Sequence, residues 1–245
     1  MSEPSGYVIY QGPSLLDGQP IVAIATTSSR NTKTGSMVSV WIMRQDVDPV
    51  TASRLGYDAS VCGGCAHRGT ARPDKASGQA DGRGCYVILY QAPRTVWQSW
   101  QRGIYPMART VSDLAAIGRG RMVRNAAYGD GAALPAWITI ALGSEAAGHT
   151  AYSHQSRNPA SSFDASRYMV SVESVADAQA AWAVGQRTFR IVDSAADLVA
   201  GREIECPSNR GVQCADCGLC GGGQVAAKSI AIAKHGNGAG HIVTA

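Results

Sequence analysis

All seven cysteines of this chain fall into two groups, and both groups have the spacing of metal ligands. The first runs C-G-G-C-A-H from Cys62 to His67, with Cys85 following in R-G-C-Y. The second runs from Cys206 through C-A-D-C-G-L-C, which supplies Cys214, Cys217 and Cys220. Two thiolates separated by two residues bite one tetrahedral ion without straining the backbone, because the intervening turn points both sulfurs the same way. The spacing predicts two four-ligand sites, one of Cys62, Cys65, His67 and Cys85, the other of Cys206, Cys214, Cys217 and Cys220. Two zinc ions suit such ligands, and so do iron–sulfur clusters; ligand type alone does not choose.

A disulfide framework is the competing reading. An odd number of cysteines argues against complete pairing. The opening M-S-E-P-S-G has neither a basic stretch nor an apolar one, so no export signal is expected. A reducing, cytoplasmic setting then favours metal over disulfide.

Composition narrows the class further. A chain of 245 residues with 45% hydrophobic content can bury a substantial core as a single domain, 1–245. No apolar run approaches the ~18 residues of a membrane span, so no membrane partner is expected. The net charge of +4 permits contact with a phosphate backbone without demanding it. Arg119, Arg121 and Arg124 form a local basic surplus that suits nucleic acid, or simply a solvated face.

The elements that must position these residues are best marked in the second half. Short β-rich runs alternate there with helical ones, the sign of βα units around a parallel sheet. Strands are expected at 122–128, 149–154, 168–172, 189–192, 203–206 and 229–234. Helices are expected at 134–143, with Pro135 in the first turn, and at 175–185, stopped by Gly185. In the first half, strands are expected at 21–25, 38–43 and 85–90, and a helix at 96–102. Residues 66–84 read as a turn-rich loop. Roughly eight strands with intervening helices predict an α/β fold of the (β/α) barrel type, irregular or incomplete, with metal-binding loops near 62–85 and 206–220. An open doubly wound sheet is the alternative, but no glycine-rich nucleotide fingerprint marks a crevice.

In a parallel sheet the polar residues just past the strand ends face the site. That rule selects Asp130, His154, Glu173 and Asp193 as candidate catalytic groups. Lys33, Gln91, Arg124, Gln155 and His235 are candidate substrate-binding groups, Lys33 within the polar loop 26–35. Each has a plainer role open to it: Asp130 in a turn, Asp193 as a helix cap, Glu173 paired with an arginine, His154 as a satisfied core histidine.

Several of these motifs, in order along the chain, resemble a family of small cysteine-rich proteins encoded by phages and plasmids. They are S-S-R-N-T-K-T-G ending at Gly35, the Cys62 and Cys85 motifs, V-R-N-A-A-Y-G-D ending at Asp130, and Y-S-H-Q ending at Gln155. The later cysteine group and K-S-I-A-I-A-K-H-G around His235 complete the set. The resemblance implies a phage-infected or plasmid-bearing host cell, and DNA or RNA, or substrates derived from them.

Two more distant resemblances bear on the reaction. The Cys214–Cys220 motif is similar to the structural zinc site of the barrel-shaped tRNA- and DNA-guanine transglycosylases, which insert 7-deazaguanine bases. That resemblance implies two aspartates, Asp130 and Asp193, as nucleophile and general acid/base. The zinc spacing and the short chain depart from that family. Cys62, Cys65 and Cys85 resemble, more loosely, the three thiolates with which radical S-adenosylmethionine proteins hold a four-iron cluster with one open iron; the compact three-cysteine loop of those proteins is absent. A non-catalytic, zinc-stabilised DNA-binding protein is the third expectation, and under it the strand-end carboxylates carry no chemistry.

Overall fold

In the computed structural model, which describes residues 3–28, 32–236 and 238–242, the chain is a mixed α/β protein built on two five-stranded sheets. The first holds β1 (Gly6–Pro13), β2 (Pro20–Thr26), β3 (Val38–Arg44), β4 (Met122–Tyr128) and β5 (Gly148–Thr150), in that order. The second holds β6 (Tyr152–Ser153), β7 (Met169–Val172), β8 (Thr188–Val192), β10 (Ser229–Ala233) and β9 (Glu203–Glu205), in that order. β1–β2 and β2–β3 pair antiparallel; every later pairing is parallel. The helices are α1 (Pro49–Leu55), α2 (Ala59–Cys62), α3 (Ala92–Gln101), α4 (Val111–Gly118), α5 (Ala136–Gly143), α6 (Val175–Ala183) and α7 (Cys214–Cys217).

Continuous apolar runs produce the central strands of the first sheet. Ile21 to Ala25 in β2 are fully buried, as are Val38, Val40, Ile42 and Met43 in β3. A strand covered on both faces needs such a run rather than alternation. Local chemistry starts the helices: Asp48 caps α1 ahead of Pro49, and Thr110 with Asp113 forms a capping box on α4. Ser174 caps α6, and Gly185, with φ +76°, follows its end.

In the second sheet alternate residues serve two different layers. Val170 and Val172 pack on Ala178 and Ala181 of α6. On the opposite face Met169, Ile230, Phe189 and Ile204 pack with Tyr152, Cys206, Leu219 and Cys220. The cysteine-rich segment therefore covers one face of this sheet. β5 and β6 are separated only by Ala151, whose amide donates to the Cys220 carbonyl at 3.0 Å and whose carbonyl accepts from Met169 at 2.9 Å. One bent strand thus carries the chain from the first sheet into the second.

Several expected elements differ. Residues 85–90 are turn and loop, not a strand: Leu89 is buried, but Ile88 and Tyr90 are exposed, which a strand covered on both faces does not permit. The strand expected at 149–154 is broken at Ala151, where Cys220 takes over the pairing. Pro135 stands at the N-cap of α5, one place before its first turn. The α/β class is observed, with two sheets whose pairings do not include one between β1 and β9. Among the described residues no helix is long and apolar enough to cross a membrane.

Candidate metal centre

Because β3 to β10 run parallel in register, their carboxyl ends fall along one edge. Asp130, His154, Glu173, Asp193, His235 and Cys206 stand just past those ends.

The first thiolate group is delivered to this edge by α2 and the loop after it. Cys62 ends α2, Cys65 precedes the 3-10 turn Ala66–Arg68, and the Cys85 amide donates to the His67 carbonyl at 3.1 Å. Arg68 ties the loop together: it forms an ion pair with buried Asp58 at 2.6 Å and donates to the carbonyls of Gly56 and Gly63 at 2.9 and 3.0 Å. Burial pushes the thiols of Cys62 and Cys85 up, and Cys62, Cys65 and Cys85 act on one another electrostatically. Arg83 is buried beside Cys85 and Cys62, with Nε and Nη1 lacking hydrogen-bond partners. The Tyr128 hydroxyl, beside Cys62, is likewise buried without a partner. Buried donors without acceptors are costly. A thiolate-bound anionic centre among these sulfurs would give them acceptors, so the donor set fits such a group.

His67 faces Glu173: its Nε2 lies 3.3 Å from Glu173 Oε1, and His154 Nε2 lies 2.9 Å from the same oxygen. His154 Nε2 is also 3.8 Å from Cys65 Sγ. Burial raises the Glu173 carboxyl, but the hydrogen bonds from His154 and His67 outweigh it and hold the pKa at about 2. The two proposed catalytic groups His154 and Glu173 thus meet a residue assigned by its spacing to the thiolates.

The second group gathers on the inner face of the second sheet. Cys206 follows β9, its amide bonded to the Ala231 carbonyl at 2.8 Å; Cys214 and Cys217 bound α7, and Cys220 is buried. Cys206, Cys214 and Cys217 act electrostatically on Cys220, and burial pushes the Cys220 thiol up to about 12. Tyr152 hydrogen-bonds the Cys220 sulfur. Lys33 and Arg124 place positive charge beside Cys214, and Lys33 also lies beside Cys206.

Among the described residues, one group of His, Cys, Asp or Glu side chains has its ligand atoms all within 4.8 Å of one another: His67, His154 and Glu173.

Other candidates have partners within the scaffold or lie exposed. Asp130 is buried, with Oδ1 accepting from the Ala132 amide and Oδ2 from the Ser153 hydroxyl and the His154 amide, each at 3.0 Å. Burial raises its carboxyl above the ordinary value. Asp193 is exposed and paired with Lys234 at 2.6 Å; the cap of the following turn is Ser194, not Asp193. Gln155 is buried and donates to the Cys62 carbonyl at 3.0 Å. Gln91 is an exposed residue at the start of α3, no longer a strand end.

Lys33 and His235 do meet. His235 Nδ1 faces the Ala233 carbonyl at 2.8 Å and so carries the proton, leaving Nε2 to accept from Lys33 Nζ at 2.6 Å. Tyr86, adjacent to Cys85, stacks on the His235 ring at 4.2 Å between centroids. This Lys33–His235–Tyr86 chain links the two thiolate groups. Residues 29–31 of the polar loop lie outside the described residues.

Arg68, Arg83, Tyr86 and Tyr152 were not selected from the sequence. Arg68, Arg83 and Tyr86 lie within three residues of a cysteine and could have been found by that proximity, as could Asp58, four residues before Cys62; Tyr152 could not. Comparisons with protein-family models, curated proteins and solved structures return no match.

Proposed function

We propose that the chain is an iron–sulfur enzyme that modifies a nucleic-acid base, Cys62, Cys65 and Cys85 holding the reactive cluster and the four later cysteines a second one. The buried donors beside the first group support this reading: Arg83 Nε and Nη1 and the Tyr128 hydroxyl lie by Cys62 without partners, and an anionic cluster bound by Cys62, Cys65 and Cys85 would give them acceptors. Held by three thiolates, such a cluster would offer an open iron to an outside ligand. His154, Glu173 and His67 stand beside Cys65 at the strand ends, where a substrate would approach. Lys33 and Arg124 supply the positive charge that a phosphate-bearing substrate needs. In this reading the bent β5–β6 strand makes the two sheets one irregular, unclosed (β/α) barrel, and the nucleic-acid substrate class follows the phage-family resemblance.

The transglycosylase reading fits less well. It needs two available carboxylates, and Asp130 has both oxygens engaged while Asp193 is tied to Lys234.

Anaerobic purification followed by iron and acid-labile sulfide analysis tests the proposal. The expected protein is brown, with iron and sulfide in equal amounts, and Cys217→Ser loses part of both together with stability. A colourless protein holding two zinc ions would exclude iron–sulfur chemistry and leave zinc-stabilised nucleic-acid binding.

A further inference from the structure

One cluster outside the thiolates has the geometry of a metal site on its own. His67 comes from the 3-10 turn Ala66–Arg68, His154 from the end of β6 and Glu173 from the end of β7. Three separate stretches of chain therefore bring two imidazole nitrogens and a carboxylate oxygen to one point. The two Nε2 atoms lie 2.9 and 3.3 Å from the same Glu173 oxygen, and the three ligand atoms are all within 4.8 Å of one another. Donors about 2.1 Å from a common ion stand about 3.0 to 3.4 Å apart at octahedral or tetrahedral angles. The observed separations from Glu173 lie in or beside that range.

The surroundings suit an ion. The side chains are 11%, 22% and 26% exposed, half-sheltered rather than solvated. His154 and Glu173 form part of the wall of a cleft of about 400 Å³, between the Gly64–Ala66 stretch and α6. The His154 amide is held by Asp130, itself bonded to Ser153 and Ala132.

We propose that His67, His154 and Glu173 bind one divalent transition-metal ion through nitrogen and oxygen, separate from the thiolate-held centres, with its open positions facing that cleft. Two imidazoles and one carboxylate on one side of an ion are the donor set of non-haem iron and zinc sites, which keep positions open for water or a substrate oxygen. The inference goes beyond the function proposed above, which assigns no ion to this trio, and it stands whichever metal the cysteines hold. Asp130 is then a positioning residue, acting on the ion through the His154 backbone.

Cobalt(II) is the probe. The purified protein, retaining whatever its cysteines hold, is equilibrated with cobalt, desalted and analysed for cobalt and for near-ultraviolet absorption. One added equivalent is expected, without the intense thiolate-to-cobalt band. Glu173→Gln and His67→Ala should each weaken it at least tenfold, whereas Cys85→Ser, which removes a thiolate, should keep it. No added cobalt in the wild type, uptake that carries the thiolate band, or equal uptake in both ligand variants would overturn the assignment. So would loss of uptake in Cys85→Ser with an unchanged far-ultraviolet spectrum. Iron and sulfide content, which decides the cluster reading, is measured separately, so the two proposals fail independently.

Discussion

The side-chain amide of Gln155 occupies the space in which a Cβ on Gly63 would lie. Gly63 also has φ +55°, a backbone region that L residues rarely adopt. The pair fixes the turn between Cys62 and Cys65, since Gln155 donates to the Cys62 carbonyl as well. Gly63→Ala should therefore cost about 2 kcal/mol or more, from backbone strain and overpacking together. Urea unfolding and metal content should fall in parallel. An unchanged midpoint with full metal would show that the turn tolerates displacement.

The two aspartates should separate cleanly. In Asp130→Asn, a new NH2 group must face either the Ala132 amide or the His154 amide and Ser153 hydroxyl, leaving buried donors unmatched. A loss of about 1–3 kcal/mol is expected. Asp193→Asn removes an exposed ion pair with Lys234 and should cost less than about 1 kcal/mol. Thermal unfolding of the two variants checks the order. Equal losses would mean that burial has been misjudged at one of them.

A buried ion pair ties the far edge of the second sheet. Arg190 of β8 reaches past β10 to Glu203 of β9 at 2.7 Å, and both side chains are almost fully buried. The residue opposite Arg190 on β10 is Ala231, whose small side chain leaves the path open. Glu203→Ala leaves the guanidinium charged and unpaired, which should cost about 3–5 kcal/mol. Denaturant unfolding measures it; a loss under about 1 kcal/mol would place water at the pair.

Stability should also depend on His149. Its ring is buried, which lowers its pKa below the ordinary 6.5, and its Nε2 faces the Arg167 carbonyl at 2.9 Å. The unfolded chain takes up a proton near pH 6.5 while the folded chain does not. Stability from this group is therefore complete above that pH and declines as pH falls towards the lower, folded value. The slope approaches about 1.4 kcal/mol per pH unit at most. His149→Gln should flatten the urea midpoint between pH about 7 and about 5 relative to wild type. Parallel curves for the two proteins would remove His149 from the acid response.

Legibility in the sequence followed physical cause. β2 and β3 were readable because strands buried on both faces need near-continuous apolar runs, and 21–25 and 40–43 have them. Residues 85–90 carry similar letters, yet Leu89 alone is a buried anchor and Tyr86 turns to stack on His235. β1, α1 and α4 escaped notice: β1 contains a bulge between Val8 and Tyr10, and the two helices are eight residues or shorter. At the site, the strand-end rule found His154 and Glu173. It could not find their partner, because the position of His67 two residues after Cys65 suggests a shared ion, whereas its ring points to Glu173. Asp130 was located correctly, but its hydrogen bonds, which make it a brace, come from Ser153 and His154 far along the chain.

The single residue that parts β5 from β6 ties sheet geometry to the cysteine pocket. Ala151 spends its amide on Cys220, so the crease between the two halves is closed by the segment that also carries the last thiol of that pocket. An ion or cluster held by Cys206, Cys214, Cys217 and Cys220 would therefore act as a rivet at the crease as well as a staple for its own loop.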